Sequence, residues 1–432
     1  MKFYYLISLG CPKNLVDSEI FAGIIEQDGF TATDDPALAE VIIVNTCGFI
    51  LDAKREAIDT ILELSGFKKE GKCKMLIATG CLVRRYFSDL QRDIPEVDHF
   101  IDLKNFTQFA DLFAREEPYN RKQLTPQHYA YLRISDGCNN LCSYCAIPSI
   151  RGKLVSDPAE TLIRQAKMMA ASGVKELIIT AQDTTQYGID WDGNSHLIEL
   201  LKELEKIKDI EWIRLLYLHP AHLSDELIDY ICQSEKICHY FEIPLQHAND
   251  RLLNLMNRKV DQKRTREIIK RIREKDTYAA VRTTFIVGHP GETEQDFDEL
   301  MDFIEEMQFE RLGVFTYSEE EGTRSAQLPE KVDGDLAELR KDQLMGIQME
   351  ISQQLLRRFQ NKVIRVIIDG KSDDQEFNLM GRTRYDCPEI DGAVYLYGEA
   401  APGEIRDVLI IDTWEYDLVG RIISEKEEKD YE

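Results

Sequence analysis

Three cysteines crowd into eight residues of this chain, Cys138-Asn139-Asn140-Leu141-Cys142-Ser143-Tyr144-Cys145, reached directly from an apolar run at 129–134. Thiolates are soft ligands, and Cys-x3-Cys-x2-Cys is a spacing that suits an iron–sulfur cluster. A cubic four-iron cluster has four corners, so three local sulfurs leave one iron open. In catalytic metal sites, as opposed to structural ones, the open position is where a substrate or cosubstrate binds. A zinc knuckle short of its fourth ligand, or three packed thiols, would use the same residues without that consequence.

A second trio is spread over the first eighty residues. Apolar runs of β type at 3–9, 41–44 and 75–78 are each followed within a few positions by Cys11, Cys47 and Cys81. These cysteines are 36 and 34 residues apart, close to one strand–helix–strand repeat, with helical patterns at 17–27 and 53–64 in the gaps. Parallel strands put all their carboxyl ends on one edge of a sheet, the edge where open α/β folds bind ligands. The three thiols would then converge on a second open site. The plainer reading is that small apolar cysteines pack well at strand ends.

The elements that position these groups fall into three stretches. Residues 1–120 read as an open parallel α/β domain, ending in a helix at 106–114 and a polar, proline-marked linker at 116–127. Residues 121–358 alternate strands (129–134, 176–180, 212–216, 240–243, 281–286, 312–315) with helical patterns such as 159–171 and 294–307. That pattern predicts a partial (β/α)6 TIM-like barrel, with chemistry on the loops after the strands. Those loops carry the Cys138 run, Gln182-Asp183, His219, Gln246-His247, Gly288-His289 and Tyr317-Ser318. A long helix at 336–359 leads into residues 360–432, where five short strands predict a small antiparallel β-barrel of the OB type.

Composition narrows the function. The formal net charge is −25, and a nucleic-acid binder ordinarily shows a basic footprint. Residues 360–432 carry nine Lys and Arg against eighteen Asp and Glu, which suits a basic protein better than phosphates. The one basic run, 263–275, has seven basic and two acidic residues. It reads as a substrate patch or, more simply, as the solvated face of a helix. No apolar run approaches the roughly 20 residues a membrane span needs. Residues 3–9 before Gly10-Cys11 resemble a short leader, but with a single flanking lysine and a stretch at the short limit for a leader they read as a buried strand. Ten cysteines in 432 residues fit a reducing compartment with metal or redox chemistry.

The loop at 138–145 resembles that of the radical S-adenosylmethionine enzymes. The resemblance implies that Cys138, Cys142 and Cys145 hold a 4Fe-4S cluster, that S-adenosylmethionine chelates its open iron, and that Tyr144 lies against the adenine. Gly173-Val174-Lys175-Glu176 resembles that family's segment near the methionine amino group, which makes Glu176 a candidate cofactor residue. Leu9-Gly10-Cys11-Pro12-Lys13-Asn14, Asn45-Thr46-Cys47-Gly48 and Gly80-Cys81-Leu82 resemble the N-terminal domain of the methylthiotransferases. There, Cys11, Cys47 and Cys81 would hold a second 4Fe-4S cluster that carries the sulfur. Gly381-Arg382-Thr383-Arg384-Tyr385 through Gly392 resembles the TRAM module, commonly an RNA-binding appendage.

The whole chain is similar to the methylthiotransferase branch acting on an aspartate of small-subunit ribosomal protein twelve, through Cys11-Pro12-Lys13-Asn14 and the acidic final domain. This implies a cytoplasmic enzyme, monomeric by default, with two S-adenosylmethionine used per turnover and no catalytic residue beyond the cluster cysteines. A reductant such as flavodoxin or ferredoxin would feed it, and neither membrane nor stable nucleic-acid binding is expected. Two other readings compete: a methylthiotransferase acting on adenosine in transfer RNA, and a non-catalytic two-cluster electron-transfer protein.

Overall fold

Strands and helices alternate through most of the computed structural model, which describes residues 1–113 and 121–424. The linker expected at 116–127 lies outside the described residues up to position 120. The chain divides into two compact units. One gathers Met1–Thr125, Asp136–Leu154 and Ser318–Ala326; the other gathers Pro126–Ser135, Val155–Tyr317 and Gln327–Glu432. The cysteine loop at 138–145 therefore belongs with the first unit.

The first unit is built on a parallel five-stranded sheet. Its order in space is Phe30–Ala32, Lys2–Ser8, Val41–Thr46, Met75–Gly80 and His99–Phe100. Every residue of the central strand Val41–Thr46 is buried, because helices cover both faces and demand a continuous apolar run rather than alternation. Ile42, Val44, Leu76 and Ala78 pack on one side with Ala57, Ile61 and Leu82. Ile43 and Ile77 pack on the other with Phe21, Ile24, Ile25 and Phe109. The edge strands Phe30–Ala32 and His99–Phe100 went unanticipated, since two or three residues carry no periodicity. The first helix, Pro12–Gln27, begins five residues before its apolar pattern. Cys11 is its N-cap and Pro12 fills the first turn, where a missing N–H costs nothing.

The second unit contains the six expected parallel strands, neighbours in chain order. Tyr129–Arg133, Glu176–Thr180 and Trp212–Leu215 form one sheet; Tyr240–Glu242, Ala280–Val287 and Arg311–Thr316 form another. A parallel bridge between Ile213 and Ile237 and the bond from Leu218 N–H to the Glu242 carbonyl (2.8 Å) join the two. Their buried side chains and those of the flanking helices form one apolar core. The basic run at 263–275 is a helix, Gln262–Lys275, that buries Thr265, Ile268, Ile269 and Ile272. Its cations are met by carboxylates: Arg264 by Asp225 (2.8 Å), Arg271 by Asp229 (2.7 Å) and Lys275 by Asp229 (3.3 Å). It is a paired outer face.

The helix Gly334–Leu356 leads into the closed five-stranded barrel Val363–Lys371, Leu379–Thr383, Val394–Tyr397, Leu418–Ile422 and Ile405–Thr413. Its pairs are antiparallel except Val394–Tyr397 with Leu418–Ile422, which run parallel. The barrel docks on the amino-terminal ends of the six parallel strands through the TRAM-like segment. Arg382 pairs with Glu176, Arg311 Nε with Asp386 (3.1 Å), Arg282 with Asp391 (2.9 Å), and the Tyr129 hydroxyl donates to Glu389 (2.9 Å). These charges of the TRAM-like segment are thus engaged inside the chain.

Candidate functional site: two cysteine trios in one unit

Cys11, Cys47 and Cys81 follow three strands that are direct neighbours, in a register that pairs Ser8 with Asn45, Asn45 with Thr79, and Thr46 with Gly80. The strand ends are level, so the three thiols share one edge. Two glycines allow the approach. A methyl group at Gly10, whose φ is +90°, would lie 2.9 Å from Cys47 Cβ; one at Gly48 would lie 2.6 Å from Leu82 N and Cα. Asn14 ties the edge together: its Nδ2 donates to the carbonyls of Leu9 (2.9 Å) and Thr46 (3.0 Å), and its Oδ1 lies 3.4 Å from Cys81 Sγ. Asn45 Nδ2 in turn donates to the Asn14 carbonyl (2.7 Å) and Ser18 Oγ (2.8 Å).

The electrostatics of this edge are uneven. Burial pushes the Cys81 thiol up to about 12, with Arg151 opposing, and burial likewise raises Cys47. Burial also works against ionising Cys11, but Lys13, Arg151 and the backbone N–H groups of Asn14 and Lys13 outweigh it, and its thiol falls below the ordinary range. Three thiols on one edge, one of them biased toward thiolate, fit a site where iron cations displace the thiol protons on binding. Gly48→Ala tests the geometry. Its Cβ would meet backbone, so we expect about 1–3 kcal/mol of destabilisation, read as a lower urea midpoint, with iron uptake by this trio reduced.

The second trio lies in the same unit. Cys138 N–H donates to the Gly152 carbonyl (3.1 Å), Asn140 N–H to Cys138 Sγ (3.4 Å), and Cys145 N–H to the Cys142 carbonyl (3.2 Å). Ser325 fastens the loop from the 318–326 segment, its N–H donating to the Ser143 carbonyl (2.8 Å) and its hydroxyl to Ser143 Oγ (2.7 Å). Tyr144 is half-buried in this loop. The short helix Ile147–Arg151 follows, and Ala146 and Ile150 share one small apolar cluster with Cys81.

Arg151, a few residues after the second trio, reaches the sheet edge of the first, a role the sequence does not announce. Its side chain is 1% exposed and reaches Asp136 (3.0 Å), Asp17 (3.1 Å) and Asn14 Oδ1 (2.5 Å). Asn14, Asp17 and Asp136 lie 15 to 137 residues away along the chain, so no local pattern could have found the cluster. The only available signal was a charged residue in a short apolar stretch after the cysteines.

Glu176 is a correction. It opens its strand, in register with Tyr129 and Trp212, also at the amino ends of theirs. Its carboxylate is fully buried and held by Arg214 (2.7 Å) and Arg382. Parallel strands bind ligands at their carboxyl ends, and both its oxygens are engaged, so Glu176 joins the second unit's two barrels instead of holding a cofactor.

At the carboxyl ends of the same strands lie Asp183, His219 and His222, with possible ligand atoms within 4.8 Å of one another. Asp183 already accepts from Thr185 N–H (3.2 Å) and Gln186 Nε2 (2.9 Å) and pairs with His222 (2.9 Å). His219 Nδ1 accepts from Ala221 N–H (3.2 Å), which puts its proton on Nε2. The group is a polar cluster lining the carboxyl edge, with no lone pair on Nε2 for a metal. His247 is similar: Nδ1 accepts from Asn249 N–H (3.0 Å), and burial, with His289, Arg251 and Arg340 nearby and Asp296 opposing, lowers its pKa to about 3.

An unfolded histidine takes a proton below about 6.5, which folded His247 refuses until about 3. Its contribution is therefore full above pH 6.5 and lost as pH falls through that window. Going from about pH 7 to pH 5 should cost the apoprotein on the order of 2 kcal/mol from this group. Urea melts at the two pH values should diverge less in His247→Gln.

A Cys-x3-Cys-x2-Cys loop in one unit and six parallel strands in the other are together the parts of a radical S-adenosylmethionine enzyme. The Radical SAM superfamily matches residues 132–304, an uncharacterized protein family, UPF0004, matches 3–102, and the TRAM domain matches 362–423. Among solved structures, the radical S-adenosylmethionine methyltransferase TsrM from Kitasatospora setae aligns with a TM-score of 0.55 at 13% identity, over 73% of this chain and 75% of that one. The S-adenosylmethionine radical enzyme OxsB aligns at 0.52 and 11%, over 82% and 56%. Both similarities concern the fold.

Closer relatives carry the name "Ribosomal protein uS12 methylthiotransferase RimO". The one from Anaeromyxobacter sp. (strain Fw109-5) is 43% identical over 98% of this chain and 94% of its own. That from Aquifex aeolicus is 45% identical over 96% of each. The chain belongs to their family, the RimO radical S-adenosylmethionine methylthiotransferases.

Proposed function

We propose that this enzyme methylthiolates the β-carbon of an aspartate in ribosomal protein uS12. Cys138, Cys142 and Cys145 would hold one 4Fe-4S cluster and Cys11, Cys47 and Cys81 a second, with Tyr144 against the adenine of S-adenosylmethionine. Bound, these groups would supply an electron, a radical that removes hydrogen from the unactivated carbon, and the sulfur, with one S-adenosylmethionine giving the methyl group and a second the radical. The chain's own residues do the rest. Asn14 and Asn45 hold three strand ends level, Arg151 offsets thiolate charge at the sheet-edge trio, and Ser325 pins the cysteine loop.

The observation that carries this reading is that Cys81 shares one small apolar cluster with Ala146, the residue next to Cys145. Two open thiol sets so close suit a reaction in which one makes the radical and the other delivers the methylthio group. A single-cluster enzyme would need no second trio on a level sheet edge. The acidic final barrel suits a lysine- and arginine-rich protein substrate. We further propose functional boundaries of 1–120, 121–358 and 360–432, action as a monomer in the cytoplasm, and a flavodoxin- or ferredoxin-type reductant. No helix among the described residues is long and apolar enough to cross a membrane.

The test is anaerobic reconstitution followed by incubation with S-adenosylmethionine, reductant and uS12. Mass spectrometry should find a methylthio group replacing one hydrogen on an aspartate. Modification of transfer RNA with an untouched protein would reassign the substrate. No cleavage of S-adenosylmethionine would leave an electron carrier.

A further inference from the structure

The C-terminal barrel carries four aromatic rings joined by contacts at Phe377 and Tyr395, with Phe377 itself buried. In the strand Val394–Tyr397, Val394 and Leu396 are buried inside the barrel, so alternation sends Tyr395 and Tyr397 outward. Phe377 joins them from the loop before Leu379, with ring centroids 5.3 Å from Tyr395 and 5.0 Å from Tyr397. Trp414, half-buried in the hairpin after Ile405–Thr413, lies 5.3 Å from Tyr395 and 5.9 Å from Phe377.

Carboxylates rim these rings. Asp373, Asp374 and Glu376 precede Phe377 on an exposed loop, and Asp412, Glu415 and Asp417 flank Trp414. The Tyr397 hydroxyl donates to Glu376 (2.9 Å). The Tyr395 hydroxyl is pushed up by partial burial and then by Asp417, Asp374 and Asp373, so both acidic loops bear on the same ring. Arg421 lies beside Tyr397 in the strand register, so a cation already stands at that end, and half-buried Trp414 and Tyr395 form the other.

We propose that this aromatic face is a docking surface for lysine and arginine side chains of the basic protein substrate. The proposal rests on the uS12 reading and deepens it by locating where part of that protein is held. A cation over a ring gains from the quadrupole, and a flanking carboxylate strengthens the contact. The chain uses the ring contact elsewhere: Arg214 sits 4.8 Å over Tyr240 and Arg382 5.2 Å over Tyr129. Aromatic faces on OB-like barrels also stack nucleic-acid bases, but that mode needs a positive track for the backbone. Six acidic residues around these rings would repel phosphates.

The test uses the full, anaerobically reconstituted enzyme with uS12. Two variants guard against misfolding: Trp414→Ala, and Asp373→Lys with Asp374→Lys on the exposed loop. Each should raise the Kd for uS12, and the KM for methylthiolation, about 10-fold, and added salt should weaken wild-type binding. Wild-type Kd and KM in both variants would overturn the surface. So would a single-stranded RNA that binds the wild type more tightly than uS12 does and is lost in Trp414→Ala. Binding of uS12 that weakens in the variants, with no methylthio product from the wild type, would uphold the surface and reject the substrate reading instead.

Discussion

Replacing Cys47 with alanine should cut the iron of the reconstituted protein from about eight atoms per chain to about four. Methylthio transfer should fall below detection while reductive cleavage of S-adenosylmethionine continues. Cys47 is half-buried, and alanine removes one sulfur and a single backbone contact to Phe49, which is itself only half-buried, so the fold should persist. Its loss strips the sheet-edge trio of a ligand, and two cysteines hold a four-iron cluster poorly. Cys142→Ala gives the complementary result: half the iron, and no cleavage of S-adenosylmethionine. The pair of variants separates the roles of the two trios. A Cys47→Ala protein that retained full iron and still transferred a methylthio group would remove the sheet edge from the mechanism.

How much of this could be read beforehand depended on distance along the chain. Spacing within one loop revealed Cys138, Cys142 and Cys145, and the repeat of strand and helix revealed that Cys11, Cys47 and Cys81 would meet, because parallel topology converts a sequence period into a shared edge. Arg151 escaped, since its partners come from the first helix and from Asp136, and burial of a guanidinium leaves no periodic trace. The aromatic face escaped for the same reason: Phe377, Tyr395, Tyr397 and Trp414 sit on three separate segments that barrel closure brings together. Glu176 was misplaced because resemblance fixes a residue's neighbours in sequence and not which end of its strand meets the ligand. The TRAM-like segment was recognisable from its motif, but the pairing of Arg382, Asp386, Glu389 and Asp391 inside the second unit was not.

That pairing makes Glu176→Ala the substitution with the largest expected cost to stability, about 3–5 kcal/mol. Taking two guanidiniums and a carboxylate out of water is expensive, and their mutual attraction offsets the expense only while all are present. Arg382 would keep Asp369, 3.1 Å from its Nε. Arg214, fully buried, would keep the Arg384 carbonyl (3.1 Å) and the face of Tyr240, and neither is a counter-charge. Glu176→Gln should be milder, because an amide oxygen still accepts one bond. In urea the alanine variant should lose the contact between the two barrels first, so a probe on Trp414 should report a transition before one on Trp212. Coincident transitions shifted by less than about 1 kcal/mol would mean that water reaches Arg214 once the carboxylate is gone.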